Sequence, residues 1–235
     1  MLKSRSILVI AGTDSSGGAG LSRDIAVATE LGFAVKPVVT AVTAQSNNVV
    51  RRVELMDADL VKAQIEAAFA DDAPAAVKIG MLGDSAVVEA VADAFNGCDV
   101  PIVLDPVIAA SSGARLLSDK GITAMKERLL PLVALVTPNL PEAKILEPQS
   151  LHDLCGAVLL KGGHGDGNVL RDVLRDGPRE VVFTAQKQAF TPRGTGCTLS
   201  AAISCGLAEG LALDAAVWQA HQFVQNWISR LQASD

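Results

Sequence analysis

The stretch Ser6–Gly32, SILVIAGTDSSGGAGLSRDIAVATELG, decides the fold class. It begins with a continuous apolar run, SILVIAG, of the kind that forms a buried strand in a parallel sheet. A glycine-rich loop follows, and the next segment carries apolar residues at helical spacing until Gly32 provides a stop signal. A strand, a loop and a helix in this order are the repeating unit of α/β proteins.

The same alternation continues along the chain. Apolar runs predict further strands at 34–44, 75–80, 100–106, 133–139 and 156–163, and helical spacing predicts helices at 57–72, 84–97, 118–131, 196–209 and 213–231. Residues 165–191 are less regular and contain short β-like runs. Without an internal repeat or a linker, the chain 1–235 is predicted to form one domain, a doubly wound and mostly parallel sheet flanked by helices. Such sheets bind ligands beyond the carboxyl ends of their strands, where the unusual residues of this sequence collect.

Composition narrows the classes of protein to which the chain can belong. Hydrophobic residues make up 49% and aromatic residues only 3%, so the core must consist of Val, Leu, Ile and Ala, which favours an α/β fold over a β-sandwich. The net charge of −6 argues against a nucleic-acid partner, and no apolar stretch is long enough to span a membrane. The cysteines, at positions 98, 155, 197 and 205, form no CxxC pair, which predicts reduced thiols and a cytoplasmic protein.

The loop Gly12–Gly20, GTDSSGGAG, lies between the first strand and the first helix. It matches neither GxGxxG nor a Walker A motif, and the sequence contains no Gly-Lys-Ser/Thr, which excludes a P-loop NTPase. Two interpretations remain open for it. The loop is either an ordinary glycine-rich turn or a nest of backbone N–H groups that a ligand approaches closely.

Two motifs carry groups that suit a nucleotide and a metal ion. In TPNLPE, Asn139 and Glu142 have the spacing of a helix capping box, and they also suit hydrated Mg²⁺ beside a nucleotide, which needs few protein oxygens. Asp105, at the end of a strand, is either another oxygen ligand or the start of an Asp-Pro turn. Lys161, in KGGH, either neutralises a polyphosphate or faces solvent.

The stretch 194–197, GTGC, indicates a functional site more strongly than any other motif in the sequence. Consecutive N–H groups at the start of a helix form an anion site, which Gly194, Thr195 and Gly196 would provide here. The same field lowers the pKa of a thiol, so Cys197 is expected to be partly thiolate near neutral pH. The alternative is that Cys197 is a small packed thiol like Cys205.

Together and in this order, these motifs resemble the hydroxymethylpyrimidine/phosphomethylpyrimidine kinases of thiamine biosynthesis, in the ribokinase-like superfamily. The matching strings, between about Ile7 and Phe223, are AGTDSSGGAG, TAVTAQ, VKIGMLG, VLDPV, LLPL, VTPNLPEA, LLKGGH and GTGCTLSAAI. The resemblance implies a single three-layer α/β domain and a homodimer. It also implies ATP, Mg²⁺ and a small-molecule pyrimidine substrate. The hydroxymethyl group of 4-amino-5-hydroxymethyl-2-methylpyrimidine would be phosphorylated first, and its monophosphate would then become the diphosphate.

The resemblance also implies roles for individual residues on the pyrimidine side. Gln45 would bind the aminopyrimidine edge, since a carboxamide offers a donor and an acceptor side by side. Met81 and Val107 would pack on the ring, and Ala19 and Gly12 would line its pocket.

On the phosphate side, the Asn-x-x-Glu motif of Asn139 and Glu142 would bind Mg²⁺ and phosphate, with Asp105 as a further metal ligand. Lys161 and Thr195 would bind the nucleotide. Cys197 would accept the hydroxymethyl proton, while the N–H groups of 194–196 would stabilise the charge of the transferred group.

The sequence differs from the family pattern at Arg193, where a histidine is usual, and Arg193 is expected to add phosphate-binding charge. The segment 144–157 is also shorter than usual. Three other functions stay open: a kinase for pyridoxal or a related heterocycle, a binding protein on the same scaffold, and an acyl-transfer enzyme. The last would use Cys197 as nucleophile with His152, His164 or His221 as base.

Overall fold

Alternating strands and helices build the chain, as the apolar patterning predicts. The structure, a computed structural model, describes residues 5–110, 112–147, 151, 153–162, 169–187 and 192–233. Its strands are β1 (Ser6–Ala11), β2 (Ala34–Val39), β3 (Ala41–Gln45), β4 (Val50–Leu55), β5 (Ala76–Ile79), β6 (Ile102–Leu104), β7 (Leu135–Val136), β8 (Ala157–Leu160), β9 (Val169–Asp176) and β10 (Arg179–Gln186). Its helices are α1 (Gly20–Glu30), α2 (Ala58–Ala70), α3 (Ser85–Phe95), α4 (Asp119–Ala124), α5 (Leu140–Leu146), α6 (Thr195–Ala208) and α7 (Leu213–Gln232).

One large sheet organises the molecule. Its strand order is β10-β9-β8-β7-β6-β5-β1-β2, and the strands from β8 to β2 run parallel. The strands β9 and β10 extend the sheet as an antiparallel hairpin, which accounts for the short β-like runs predicted in 165–191. The predicted doubly wound, mostly parallel sheet is therefore confirmed.

Both faces of the sheet are buried, and β1 is apolar at every position after Ser6. Leu8 and Ile10 pack into the core on the side of α2, α3 and α4. Ile7 and Val9 point to the other side, which α1 and α6 cover. These continuous apolar strands are what a sheet between two helical layers requires.

Two predicted elements are divided in the structure. The strand predicted at 34–44 breaks at Thr40, after which β3 leaves the main sheet and pairs with β4 in a separate antiparallel hairpin. The helix predicted at 118–131 ends its α-helical part at Ala124 and continues as a π-helical turn, Met125–Leu129, and a short 3₁₀ turn. Pro131 in that last turn lacks the N–H that a continuing α-helix needs.

The carboxyl ends of the parallel strands meet along one edge of the sheet. Gly12 follows β1, Met81 follows β5 and Asp105 follows β6, while Asn139 and Lys161 lie beyond β7 and β8 and form a β-bridge with each other. Across the part of the chain that the structure describes, no helix is long and apolar enough to cross a membrane. The topology therefore brings the predicted site residues to one edge of the sheet.

Candidate active site

A cavity of about 500 Å³ lies at this edge. Every residue that the sequence predicts for the site lines it: Gly12, Ala19, Gln45, Met81, Asp105, Val107, Asn139, Glu142, Lys161, Gly194, Thr195, Gly196 and Cys197. Strands, loops and the first turns of α1, α5 and α6 contribute these residues from across the chain. The structure therefore brings the predicted residues together, and their individual roles stay predictions.

The glycine-rich loop is held by its own carboxylate. Asp14 is buried, and its side chain accepts hydrogen bonds from the backbone N–H groups of Ser16 and Ala19, each at 2.9 Å. Gly20 has φ +59°, and a Cβ there would lie 2.5 Å from the carbonyl oxygen of Gly12. Two backbone donors of this loop therefore bind Asp14 and are not free for a ligand, and the choice between a nest and an ordinary turn stays open.

The start of α6 adjoins this loop and also lines the cavity. Gly194 adopts a left-handed conformation, φ +80°, and a Cβ there would lie only 2.2 Å from the carbonyl oxygen of Gly18. The helix begins at Thr195 without a side-chain cap. The N–H groups of its first turn therefore lie at the cavity with the positive end of the helix dipole, as an anion site requires.

Cys197 belongs to this first turn and is partly buried. Burial raises the pKa of its thiol to about 11, while the positive charge of Lys78 and the N–H of Gly20 act in the lowering direction. The expectation of a partly ionised thiol near neutral pH is therefore wrong. The desolvation of the charged form outweighs the helix dipole, so Cys197 is a thiol in this state.

The cavity floor contains an ion pair between Lys161 and Asp105, with 2.8 Å between Nζ and Oδ1. Lys161 is only 15% exposed, so the solvent-facing alternative is wrong. Burial alone would raise the pKa of Asp105, but Lys161 and Lys78 hold it below its usual range. A Cβ on Gly196 would lie 3.2 Å from Nζ of Lys161, a tight contact, so a larger side chain at this position would press on the ion pair.

Asn139 and Glu142 form the capping box that their spacing predicts. The side chain of Asn139 accepts from the N–H of Glu142 at 2.9 Å, and Glu142 accepts from the N–H of Asn139 at 3.0 Å. Glu142 is nevertheless a wall of the cavity and almost fully buried. Burial, followed by the negative charge of Asp105, raises its pKa to about 7. One residue thus caps α5 and places a carboxyl group beside Asp105.

The chemistry of this donor set fits a hydrated Mg²⁺. Two carboxyl groups, of Glu142 and Asp105, face one cavity, and each disfavours the charge on the other unless a cation lies between them. Within the described residues, no group of three or more His, Cys, Asp or Glu side chains forms a metal site. Mg²⁺ here would therefore keep water and nucleotide oxygens as most of its ligands. Asn139 is less available, because its side-chain oxygen already binds the N–H of Glu142.

Gln45 and Met81, the residues predicted to contact a pyrimidine, also line the cavity and are held by local hydrogen bonds. The backbone of Gln45 is held by Ser15, whose hydroxyl donates to its carbonyl at 2.8 Å, so the carboxamide starts from a fixed position. Met81 is fixed through its carbonyl by Thr40. Its sulfur lies 2.9 Å from where a Cβ on Gly12 would be, so Gly12 makes room for this side chain.

Arg193 connects three loops at the rim of the cavity through its guanidinium group. Its guanidinium donates to the hydroxyl of Ser16 and the carbonyl of Ser46, both at 3.0 Å, and lies 3.3 Å from a carboxylate oxygen of Asp14. The charge expected to bind phosphate is therefore directed at protein groups in this state.

The buried ion pair of Lys78 and Asp24 was not predicted from the sequence. Both side chains are fully buried, and Nζ of Lys78 lies 2.6 Å from Oδ2 of Asp24. The available signal was a lysine inside the apolar strand AVKI, together with an aspartate on the buried face of α1. A charge at such positions requires a partner.

The structure argues against the acyl-transfer alternative, because His221, the one candidate base among the described residues, does not line the cavity. His221 stacks on Phe183, with ring centroids 5.3 Å apart, and lies 3.1 Å from Asp172, away from the residues that line the cavity. The other two candidates, His152 and His164, lie outside the described residues.

Comparisons with known proteins agree with this geometry. A sequence model of the family described as phosphomethylpyrimidine kinase matches residues 14–234. The chain belongs to this family. The hydroxymethylpyrimidine/phosphomethylpyrimidine kinase of Rhizobium meliloti is 39% identical over 94% of this chain and 90% of its own.

Solved structures of two related kinases share the fold of this chain. The phosphomethylpyrimidine kinase of Clostridium difficile 630 has a TM-score of 0.84 and 33% identity, covering 95% of this chain and 99% of its own. A pyridoxal kinase of Bacillus subtilis, solved as an ADP complex, has a TM-score of 0.85 and 29% identity. The match covers 94% of this chain and 90% of its own. The predicted ribokinase-like fold and the predicted hydroxymethylpyrimidine/phosphomethylpyrimidine kinase class are thus confirmed.

The raised pKa of Glu142 predicts how the stability of the protein depends on pH. Its folded-state pKa, about 7, lies above the ordinary value of 4.5, so the stability that the neutral acid contributes is present at low pH and lost as pH rises through that interval. Glu142→Gln keeps an acceptor for the N–H of Asn139 but cannot ionise. We expect the variant to gain stability relative to the parent between pH 5 and pH 8, by up to about 3 kcal/mol.

Urea unfolding of both ligand-free proteins at each pH measures this difference. A difference that is the same at both pH values would contradict the assigned pKa.

Proposed function

We propose that the chain transfers the γ-phosphoryl group of ATP to the hydroxymethyl group of 4-amino-5-hydroxymethyl-2-methylpyrimidine, and then phosphorylates the monophosphate to the diphosphate. The observation that carries the proposal is the convergence, in one cavity, of an uncapped helix start, a buried lysine and a thiol, opposite a fixed glutamine. Membership of the phosphomethylpyrimidine kinase family supports the same reaction. The whole chain, 1–235, would form the one kinase domain.

The phosphate half of the cavity would neutralise the nucleotide. The N–H groups of Thr195 and Gly196 and the ammonium of Lys161 would bind the phosphates, and a phosphate oxygen would compete with Asp105 for that ammonium. Glu142 and Asp105 would hold Mg²⁺, which supplies charge neutralisation at the phosphates when it is bound. Asp105 released from Lys161 is then free to face the cation.

The pyrimidine half would orient the acceptor hydroxyl. The carboxamide of Gln45 would donate to one ring nitrogen and accept from the exocyclic amine. Met81 and Val107 would pack on the ring faces, excluding water. Positioning of this kind supplies much of the rate of phosphoryl transfer, because the transition state needs little covalent help from the protein.

Cys197 would take the proton of the hydroxymethyl group as the bond to phosphorus forms. With a pKa of about 11, the thiol is largely protonated at neutral pH, so few enzyme molecules carry a ready base. The base thus contributes less than the anion site does, and its loss is expected to be the milder defect.

The proposal is tested by coupled ADP release with Mg-ATP, first with hydroxymethylpyrimidine, then with its monophosphate, and with pyridoxal as a third acceptor. We expect turnover on both pyrimidines. Pyridoxal is included because the chain resembles a pyridoxal kinase at a TM-score of 0.85. A preference for pyridoxal would overturn the assigned substrate, and pyrimidine binding without ADP release with any acceptor would indicate a binding protein.

Two variants separate the base from the anion site. Cys197→Ala should lower kcat by roughly 10- to 100-fold, the scale of a modest general-base contribution. Gly196→Val should lower kcat further, because its Cβ alone would lie 3.2 Å from the Lys161 ammonium. Steady-state rates of the two purified variants give the comparison, and a milder defect in Gly196→Val would refute this order of contributions.

We also infer a cytoplasmic homodimer. The homodimer is supported by exposed apolar side chains, Val42 (49% exposed) and Leu55 (37% exposed) on the hairpin of β3 and β4 and Leu60 (50% exposed) on α2. Light scattering on the purified chain is expected to give twice the monomer mass, and Val42→Glu with Leu60→Glu should return it to a monomer. A monomer in the parent protein would contradict the inference.

A further inference from the structure

The buried pair of Lys78 and Asp24 needs an explanation beyond stability. Removing two charges from water is expensive, and apolar pairs of similar size often stabilise a core equally well. Among the described residues, Oδ1 of Asp24 has no hydrogen-bond partner, so the pair is not even fully satisfied. An arrangement this costly, at the base of a cavity, points to a task in the site.

The position of the Lys78–Asp24 ion pair indicates what its role in the site is. Lys78 lies on β5, and its ammonium reaches along the strand until Nζ is 2.8 Å from where a Cβ on Gly80 would lie. That places the charge at the carboxyl end of the strand, where Lys78 is one of the cavity-lining residues together with Cys197. Helix α6, which carries the thiol, packs against β5. The absence of a side chain at Gly80 leaves the ammonium its space.

The charges around Cys197 come from four elements. Lys78 on β5 opposes the rise in the pKa of the thiol, whereas Asp24 on α1 and Asp105 after β6 add to it. Lys161, after β8, also interacts electrostatically with the thiol. Lys78 is the largest of the influences that favour the ionised sulfur.

We propose that Lys78 is a positioning residue that keeps a fixed positive charge behind the thiol of Cys197, and that Asp24 holds this charge in place while moderating it. Lys78 does not touch the substrate and transfers no proton. Its charge makes the thiol easier to ionise, and the carboxylate of Asp24 limits that effect. The consequence for catalysis rests on the proposed function, but the coupling between Lys78 and Cys197 does not.

The test exploits the opposite signs of the two charges. Lys78→Met should slow alkylation of Cys197 by iodoacetamide at pH 8, and Asp24→Asn should accelerate it, each by roughly 3- to 10-fold, since one unit of pKa changes the thiolate fraction about tenfold. Lys78 is expected to keep its charge at pH 8 in Asp24→Asn, because Asp105 and Cys197 still favour the ammonium form. A purely structural role would move both variants in the same direction. Mass spectrometry resolves Cys197 from Cys98, which serves as an internal control for loosening of the fold.

Further variants keep the experiment decisive if one substitution folds poorly. The double variant Lys78→Met with Asp24→Asn should fold and alkylate as Lys78→Met does, because an unpaired buried Asp24 becomes protonated. The control is Lys36→Met, which removes another paired lysine of the same sheet that does not line the cavity. It should leave alkylation unchanged. Equal alkylation of Cys197 in the parent, Lys78→Met and Asp24→Asn proteins would overturn the proposal.

The rate of phosphoryl transfer gives a separate readout. With Mg-ATP and hydroxymethylpyrimidine, the rise of kcat with pH should shift upward in Lys78→Met and downward in Asp24→Asn. Shifted alkylation in proteins that release no ADP would overturn the proposed kinase activity and leave the coupling standing. Unshifted alkylation in an active kinase would overturn the coupling alone.

Discussion

The close approach of Gly194 to the carbonyl oxygen of Gly18 is the contact on which the site depends. It joins the loop after β1 to the start of α6, two segments far apart in the sequence, at a distance that leaves no room for a Cβ. The left-handed backbone of Gly194 then turns the chain so that α6 begins at the cavity. If these two loops separated, the anion site, the thiol and the rim would no longer face one another.

The charges beneath the cavity form two ion pairs that differ in their accessibility. Lys161 and Asp105 line the cavity, and their side chains are 15% and 5% exposed. The side chains of Lys78 and Asp24 are fully buried. The candidate site thus combines an ion pair that solvent reaches with a second ion pair that it does not reach.

The amino-acid sequence predicted most of the fold, because buried strands and amphipathic helices leave clear periodic patterns. It failed where local pattern and tertiary context disagree. The run 34–44 is uniformly strand-like, and only the sheet itself shows that the chain changes partners at Thr40. Strand β4 was missed because it is charged and largely exposed, so it lacks the apolar run that marks the other strands. Residues 188–191 and, within the shortened segment 144–157, residues 148–150 and 152 lie outside the described residues, so expectations there stay predictions.

For the candidate site, the motifs identified the residues but not their protonation states or their buried partners. The sequence placed Cys197 at a helix start, which favours the thiolate, but the opposing cost of burial depends on packing that no motif encodes. Lys78 was missed for a related reason: a single lysine within an apolar strand identifies a buried charge, while its partner lies on a different element. The capping box of Asn139 and Glu142 was predicted from spacing alone, since both hydrogen bonds are local.

The carboxylate of Asp14 has one more consequence for recognition. Because it occupies two backbone donors of the glycine-rich loop, this loop is already folded in the ligand-free protein. A glycine-rich segment would otherwise lose much conformational entropy on binding. Here that ordering is completed when the chain folds, so this wall of the cavity is preorganised before any ligand binds.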